Sequence, residues 1–99
     1  MSDGLSYALE TAAGLMTTWD RPEEAARLLG AADGVRDEGA IPIWGPRLTR
    51  FTRLVSSARA TLGDQRFESA WAEGRALGFD AALAHVRRVL RPAELEESA

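Results

Sequence analysis

The side chains with chemical reach are few and poorly assembled. Carboxylates gather at Glu23, Glu24, Asp33, Asp37 and Glu38, and the single histidine, His85, sits in the run Ala84-His85-Val86-Arg87-Arg88-Val89-Leu90. Paired carboxylates do acid–base work when a cleft pushes their pKa values apart. These five come with no nucleophile beside a base and no metal-ligand spacing. His85 has no serine nearby in sequence, and the chain has no cysteine, which removes thiol catalysis, disulfide frameworks and zinc ribbons. One histidine cannot build a multi-histidine metal centre. The sequence therefore reads as a non-enzyme, with no catalytic, cofactor-binding or metal-binding residue.

The elements that would position any site are helical. Ninety-nine residues, 45% hydrophobic and 27% charged, are enough for one thinly cored globular domain rather than a disordered chain. Ala and Leu dominate, both strong helix formers. A first helix runs from Ser2 or Asp3 to about Thr18, with Leu5, Ala8, Leu9, Ala12, Met16 and Trp19 on one stripe. Asp20-Arg21-Pro22 stops it and starts a second, which turns Ala25, Leu28, Leu29 and Ala32 inward and fades between Gly34 and Gly39. Two prolines and two glycines in residues 39–46 forbid a continuous helix there. A third helix, Pro46 to about Leu62, carries Leu48, Phe51, Leu54, Val55, Ala58 and Leu62. After Gly63-Asp64 a fourth presents Phe67, Ala70, Trp71, Gly74 and Leu77, and a fifth, ended by Pro92, presents Phe79, Ala82, Leu83, Val86 and Leu90. The predicted organisation is one domain over residues 1–92 and a frayed acidic tail over 93–99.

A faint repeat recurs at a lag of 44: Thr17, Asp20, Glu24, Ala26, Gly30, Ala32 and Gly34 return as Thr61, Asp64, Glu68, Ala70, Gly74, Ala76 and Gly78, and Tyr7 is matched by Phe51. Such a lag fits stacked helical hairpins. The first hairpin resembles a tetratricopeptide repeat, with Leu9, Ala12, Ala13 and Met16 on one helix, Ala25, Leu29 and Ala32 on the next, and Trp19-Asp20 in the turn; the usual closing proline is replaced by Asp37. The strings Ala25-Ala26-Arg27-Leu28-Leu29-Gly30-Ala31-Ala32 and Ala70-Trp71-Ala72-Glu73-Gly74-Arg75-Ala76-Leu77 resemble the C-terminal helical-repeat region of large actinobacterial LuxR-type and related ATP-binding regulators, over about residues 5–90. The resemblance implies an all-α fold of four to five antiparallel helices stacked as tetratricopeptide-like hairpins, acting as an interaction or coupling module. It does not carry over an ATPase role. The phosphate-binding glycine loop is missing, and all 12 basic residues are arginine.

A second reading makes the last helix a DNA reader in a helix-turn-helix-like arrangement, with His85, Arg87, Arg88 and Arg91 at the duplex. Against it, Ala81-Ala82-Leu83 offers no polar side chain to base edges, and a net charge of −3 with pI near 5.1 does not suit a polyanion binder. Arg47, Arg50, Arg53 and Arg59 spread around the third helix and read as ordinary surface charge, with an acidic partner or RNA as the alternative. A third option is a pocket for a small apolar ligand between Met16, Phe51, Trp71 and Phe79.

Stacked hairpins cut to two units leave apolar faces uncovered. Leu5, Tyr7 and Leu15 of the first helix, and Ile41, Ile43 and Trp44 of the long loop, are therefore the candidate partner contacts, with a protein partner or a homodimer as the expected complex. Trp44 is either a packed loop anchor or a contact point, Trp71 belongs to the core, and Trp19 packs under the first turn. No apolar run approaches a membrane span and no signal peptide opens the chain, so a cytoplasmic protein is expected, either free-standing or a piece of a larger regulator.

Overall fold

The computed structural model describes residues 2–90, so the acidic tail and Arg91 lie outside the described residues. Among the described residues the fold is all-α: α1 (Ser2–Thr18), α2 (Pro22–Gly39), α3 (Gly45–Leu62), α4 (Asp64–Arg75) and α5 (Phe79–Leu90). The periodicity places all five, with α2 continuing through Gly34 to Gly39 instead of fading.

The turns follow from local backbone chemistry. Asp20 does not cap α2. It takes the left-handed conformation (φ 59°) that closes α1, and the Arg21 N–H donates back to the Met16 carbonyl at 2.8 Å. Asp tolerates that conformation better than most residues. Pro22 then occupies the first turn of α2, with Glu23 and Glu24 at its positive end. Between α3 and α4 a single residue, Gly63, reverses the chain at φ 86°, a conformation that a side chain would strain.

Helix α2 is the central rod. Ala25, Ala26, Leu28, Leu29, Gly30, Ala31, Ala32, Gly34, Val35 and Arg36 are all buried, which is far more than one stripe. On one side it packs with Leu5, Leu9, Ala12, Ala13 and Met16 of α1 and Ala82 and Val86 of α5. On another, Ala26 joins Ala58 and Leu62 of α3 and Phe67 and Ala70 of α4. Trp71 bridges the two clusters, stacked on Phe67 at 5.6 Å and edge-on to Phe51 at 6.2 Å. Trp71 is thus in the core, as its spacing predicts. Trp19 is not packed under the turn but stands 58% exposed, because the αL residue that follows ends α1 and leaves the ring beyond the hairpin. The residues read as a possible apolar pocket are dispersed: Met16 is buried in the α1–α2 core, Phe51 and Trp71 pack on each other, and Phe79 is exposed.

The α2–α4 crossing explains the lag of 44. A Cβ on Gly30 would overlap the Trp71 carbonyl, and a Cβ on Gly74 would overlap the Arg27 carbonyl, so the two backbones touch directly. Residues 27 and 71, like 30 and 74, are partners in the repeat. The two helices therefore meet through the same face. Ion pairs run along both flanks: Glu23 with Arg66 at 3.3 Å, Arg27 with Glu73 at 2.9 Å, and Arg75 with Asp33 and with Asp37. Their order shows that α2 and α4 run parallel. Burial opposes the Arg27 charge, but its bonds to Glu73 and Glu24 prevail and hold its pKa above the usual arginine value; bonds to Asp37 and Asp33 do the same for Arg75.

Gly30→Ala and Gly74→Ala are each expected to cost about 3 kcal/mol or more in urea unfolding, since backbone must move to admit the methyl group. Gly4→Ala, at an exposed helical position where a Cβ meets nothing within 4 Å, should instead gain about 0.5–1 kcal/mol.

Candidate interaction site

The loop between α2 and α3 is built from residues that cannot stay helical. Ala40 ends α2 in a left-handed conformation (φ 52°), with the Ile41 N–H donating to the Arg36 carbonyl at 2.8 Å. Pro42 and Pro46 then allow only an extended link, and Trp44 enters α3 at φ −154°, ψ 175°. Ile41 and Ile43 are half-buried, which pins the link down, while the Trp44 ring stands 71% exposed. Ile41, Pro42, Ile43, Trp44 and Arg47 line a depression of about 420 Å³. A second hollow of about 380 Å³ is lined by Asp33, Arg36, Asp37, Ala40, Ile41 and Pro42.

A buried charge cluster ties this loop to the helices around it. Glu10 of α1 is 2% exposed and accepts two hydrogen bonds from Arg47 of α3, Nε to Oε1 at 2.8 Å and Nη2 to Oε2 at 3.0 Å. The same Nη2 donates to Ser6 Oγ at 3.0 Å, and the guanidinium lies 5.5 Å from the Tyr7 ring centre. From α2, Arg36 brings Nε to 3.4 Å from Glu10 Oε2 and lays its guanidinium over Phe51 at 4.4 Å. One carboxylate thus ties together α1, the end of α2 and the start of α3. Sequence periodicity did not single out Glu10, Arg36 or Arg47 for this task. The available signal was that Glu10 is the only charged residue between Gly4 and Thr18 and lies four residues from Ser6, on the edge of the buried arc.

The predicted contact residues divide. Tyr7 at 53% and Leu15 at 37% are exposed on α1, Trp44 is exposed, and Ile41 and Ile43 support it. Leu5 is a correction: it is 6% exposed and packs in the α1–α2–α5 core, because its position falls on the same arc as Leu9, Ala12 and Met16. Of the proposed DNA contacts, Arg87 and Arg88 are exposed, but His85 is turned inward. Its Nε2–H donates to Glu24 of α2, and its Nδ1 accepts from Arg88 Nη2 at 2.8 Å, so the ring pins α5 to α2. Among the described residues no group of three or more His, Asp or Glu is placed to hold a metal ion, and no helix is long and apolar enough to cross a membrane.

Removing the buried Glu10 takes away the carboxylate that Arg36 and Arg47 share. Glu10→Ala should cost about 3–5 kcal/mol in chemical unfolding, whereas Glu73→Ala, whose partner Arg27 keeps Glu24 and water, should stay within about 1 kcal/mol of the parent.

No family model matches the chain, and no solved structure matches it. Proteins named as HTH-type transcriptional regulators, in Mycobacterium tuberculosis and in Mycobacterium bovis, are 36% identical to it over 88 residues. The matched stretch takes in 86% of this chain but only 10% of each relative, so the chain spans about a tenth of their length.

Proposed function

We propose that the chain is a non-catalytic interaction module of a transcription-regulatory system in the cytoplasm, binding a protein partner or a second copy of itself through helix faces. The outer face of α1 carries this reading. Gly4, Tyr7, Thr11, Leu15 and Thr18 succeed one another at spacings of three and four, and none bears a charge. Gly4, Tyr7, Leu15 and Thr18 are exposed, and Trp19 extends the face. A solvated helix normally carries its charges outward, and an uncharged, aromatic-bearing face is what an interface core looks like. The face has no like charges to repel a second copy, which favours a homodimer. The regulatory setting is supported by the relatives named as HTH-type regulators, and their much greater length fits the resemblance to the helical-repeat region of LuxR-type proteins.

DNA binding through α5 is the second reading, favoured by the names of those relatives and by exposed Arg87 and Arg88. The inward engagement of His85 by Glu24 argues against it.

Light scattering over a dilution series should show a monomer–dimer equilibrium, and Tyr7→Glu with Leu15→Glu should weaken it by about tenfold or more, about 1.4 kcal/mol. A strict monomer at high concentration with no captured partner overturns the reading. A mobility shift on DNA at low salt that is lost on replacing Arg87 and Arg88 would put the second reading in its place.

A further inference from the structure

We propose that Trp44 and the outer arc of α3 form a docking surface for an acidic, amphipathic peptide segment of another protein. This deepens the interaction-module reading and rests on it. Charge is unevenly spread along the chain. Residues 40–63 hold four arginines and no acidic residue, although the whole chain is at −3, so the remainder is strongly acidic. Two of the four are occupied: Arg47 by Glu10, and Arg59 by Asp64 at 3.3 Å and Glu68 at 2.9 Å. Arg50 and Arg53 are exposed and enter no ion pair among the described residues.

Apolar surface is exposed at the entry to the same helix, where Trp44 at the N-cap and Leu48 in the first turn are 71% and 43% exposed. Arg53 follows on the outer crest, and Arg50 leans toward α1, where its Nη2 would come within 2.9 Å of a Cβ on Gly14. A segment crossing α3 would set large apolar side chains on Trp44 and Leu48 and carboxylates beside Arg50 and Arg53. The loop bearing Trp44 is already fixed by half-buried Ile41 and Ile43 and by the Arg47–Glu10 bonds, so little ordering is required on binding.

Other occupants fit less well. A second copy presenting this face would bring arginine against arginine. Nucleic acid affinity grows with the number of phosphates neutralised, and in this stretch Arg50 and Arg53 alone enter no ion pair among the described residues. A short acidic peptide meets only the local charge.

The test is selection of random peptides displayed on phage against the immobilised full chain. The enriched peptides should be net acidic with aromatic or large aliphatic residues. A synthetic copy should bind about tenfold or more weakly to Trp44→Ala and to the Arg50→Glu, Arg53→Glu double variant, each shown folded by circular dichroism, and should weaken with added salt. Leu15→Ala, on the α1 face, should leave that affinity unchanged. Neutral or basic peptides seated at Trp44 would overturn the proposed partner chemistry while leaving the interaction-module reading intact. Acidic peptides indifferent to both variants, or duplex DNA competing for the same face, would overturn the surface itself. Recovery of no peptide from a chain that is also a strict monomer would overturn both readings.

Discussion

Two backbones in contact at Gly30 and Gly74 set the shape of this molecule. Ordinary helices keep their axes apart by the thickness of their side chains. Where glycines face a carbonyl on the other helix, that spacer is gone, and α2 and α4 close to a distance no other residue pair would permit. The contact offers dispersion over many backbone atoms, while the ion pairs on its two flanks fix the rotation of one helix on the other. Once α2 is committed to α4 on one face and to α1 on another, it has no solvent-facing stripe left along most of its length. The outer faces of α1 and α3 become the surfaces on which sequence is free to encode recognition.

The buried Glu10 cluster does a different job. Desolvating a carboxylate between two guanidinium groups is costly, and such an arrangement is a poor source of net stability. Its geometry is demanding, however: a bidentate bond to Arg47 and a near contact to Arg36 can be satisfied at only one mutual placement of α1, α2 and α3. An apolar patch in the same place would tolerate sliding. Charge here supplies register, and the register decides where Trp44 stands.

What was legible in the sequence follows the same physics. Apolar spacing located all five helices because burial on one side has a period, and it placed Leu9, Met16, Phe67 and Val86 inside. It also put Trp71 in the core. The lag of 44 was visible as repeated glycines and alanines, but a string of small residues does not say which helix they face, so the direct α2–α4 contact was hidden. Leu5 shares the stripe of Leu9, Ala12 and Met16, and that periodicity outweighs the argument that a short hairpin stack leaves it uncovered, while Tyr7 and Leu15 lie outside the buried arc. Trp19 was misplaced because nothing in its type foretells that Asp20, and not Arg21, adopts the left-handed conformation. Arg47 could not be told from Arg50 or Arg53 by composition. Only its carboxylate partner, thirty-seven positions earlier in the chain, separates an internal strut from a free surface charge.

That separation bears on how the two exposed faces work. The residues of the α1 face are uncharged, so on the proposed reading a partner there would be chosen by shape and burial, with little dependence on salt. The α3 face retains net positive charge in a molecule that is otherwise acidic, so long-range attraction acts there before contact and repels its like. On the proposed reading, one face would hold a neighbour by surface burial and the other would select by charge, while the Glu10 cluster and α2, and not either face, fix how the helices sit together. Tyr7, Leu15, Arg50 and Arg53 all stand outside the buried core, so the proposed recognition surfaces and the packing that holds the helices together are carried by different residues.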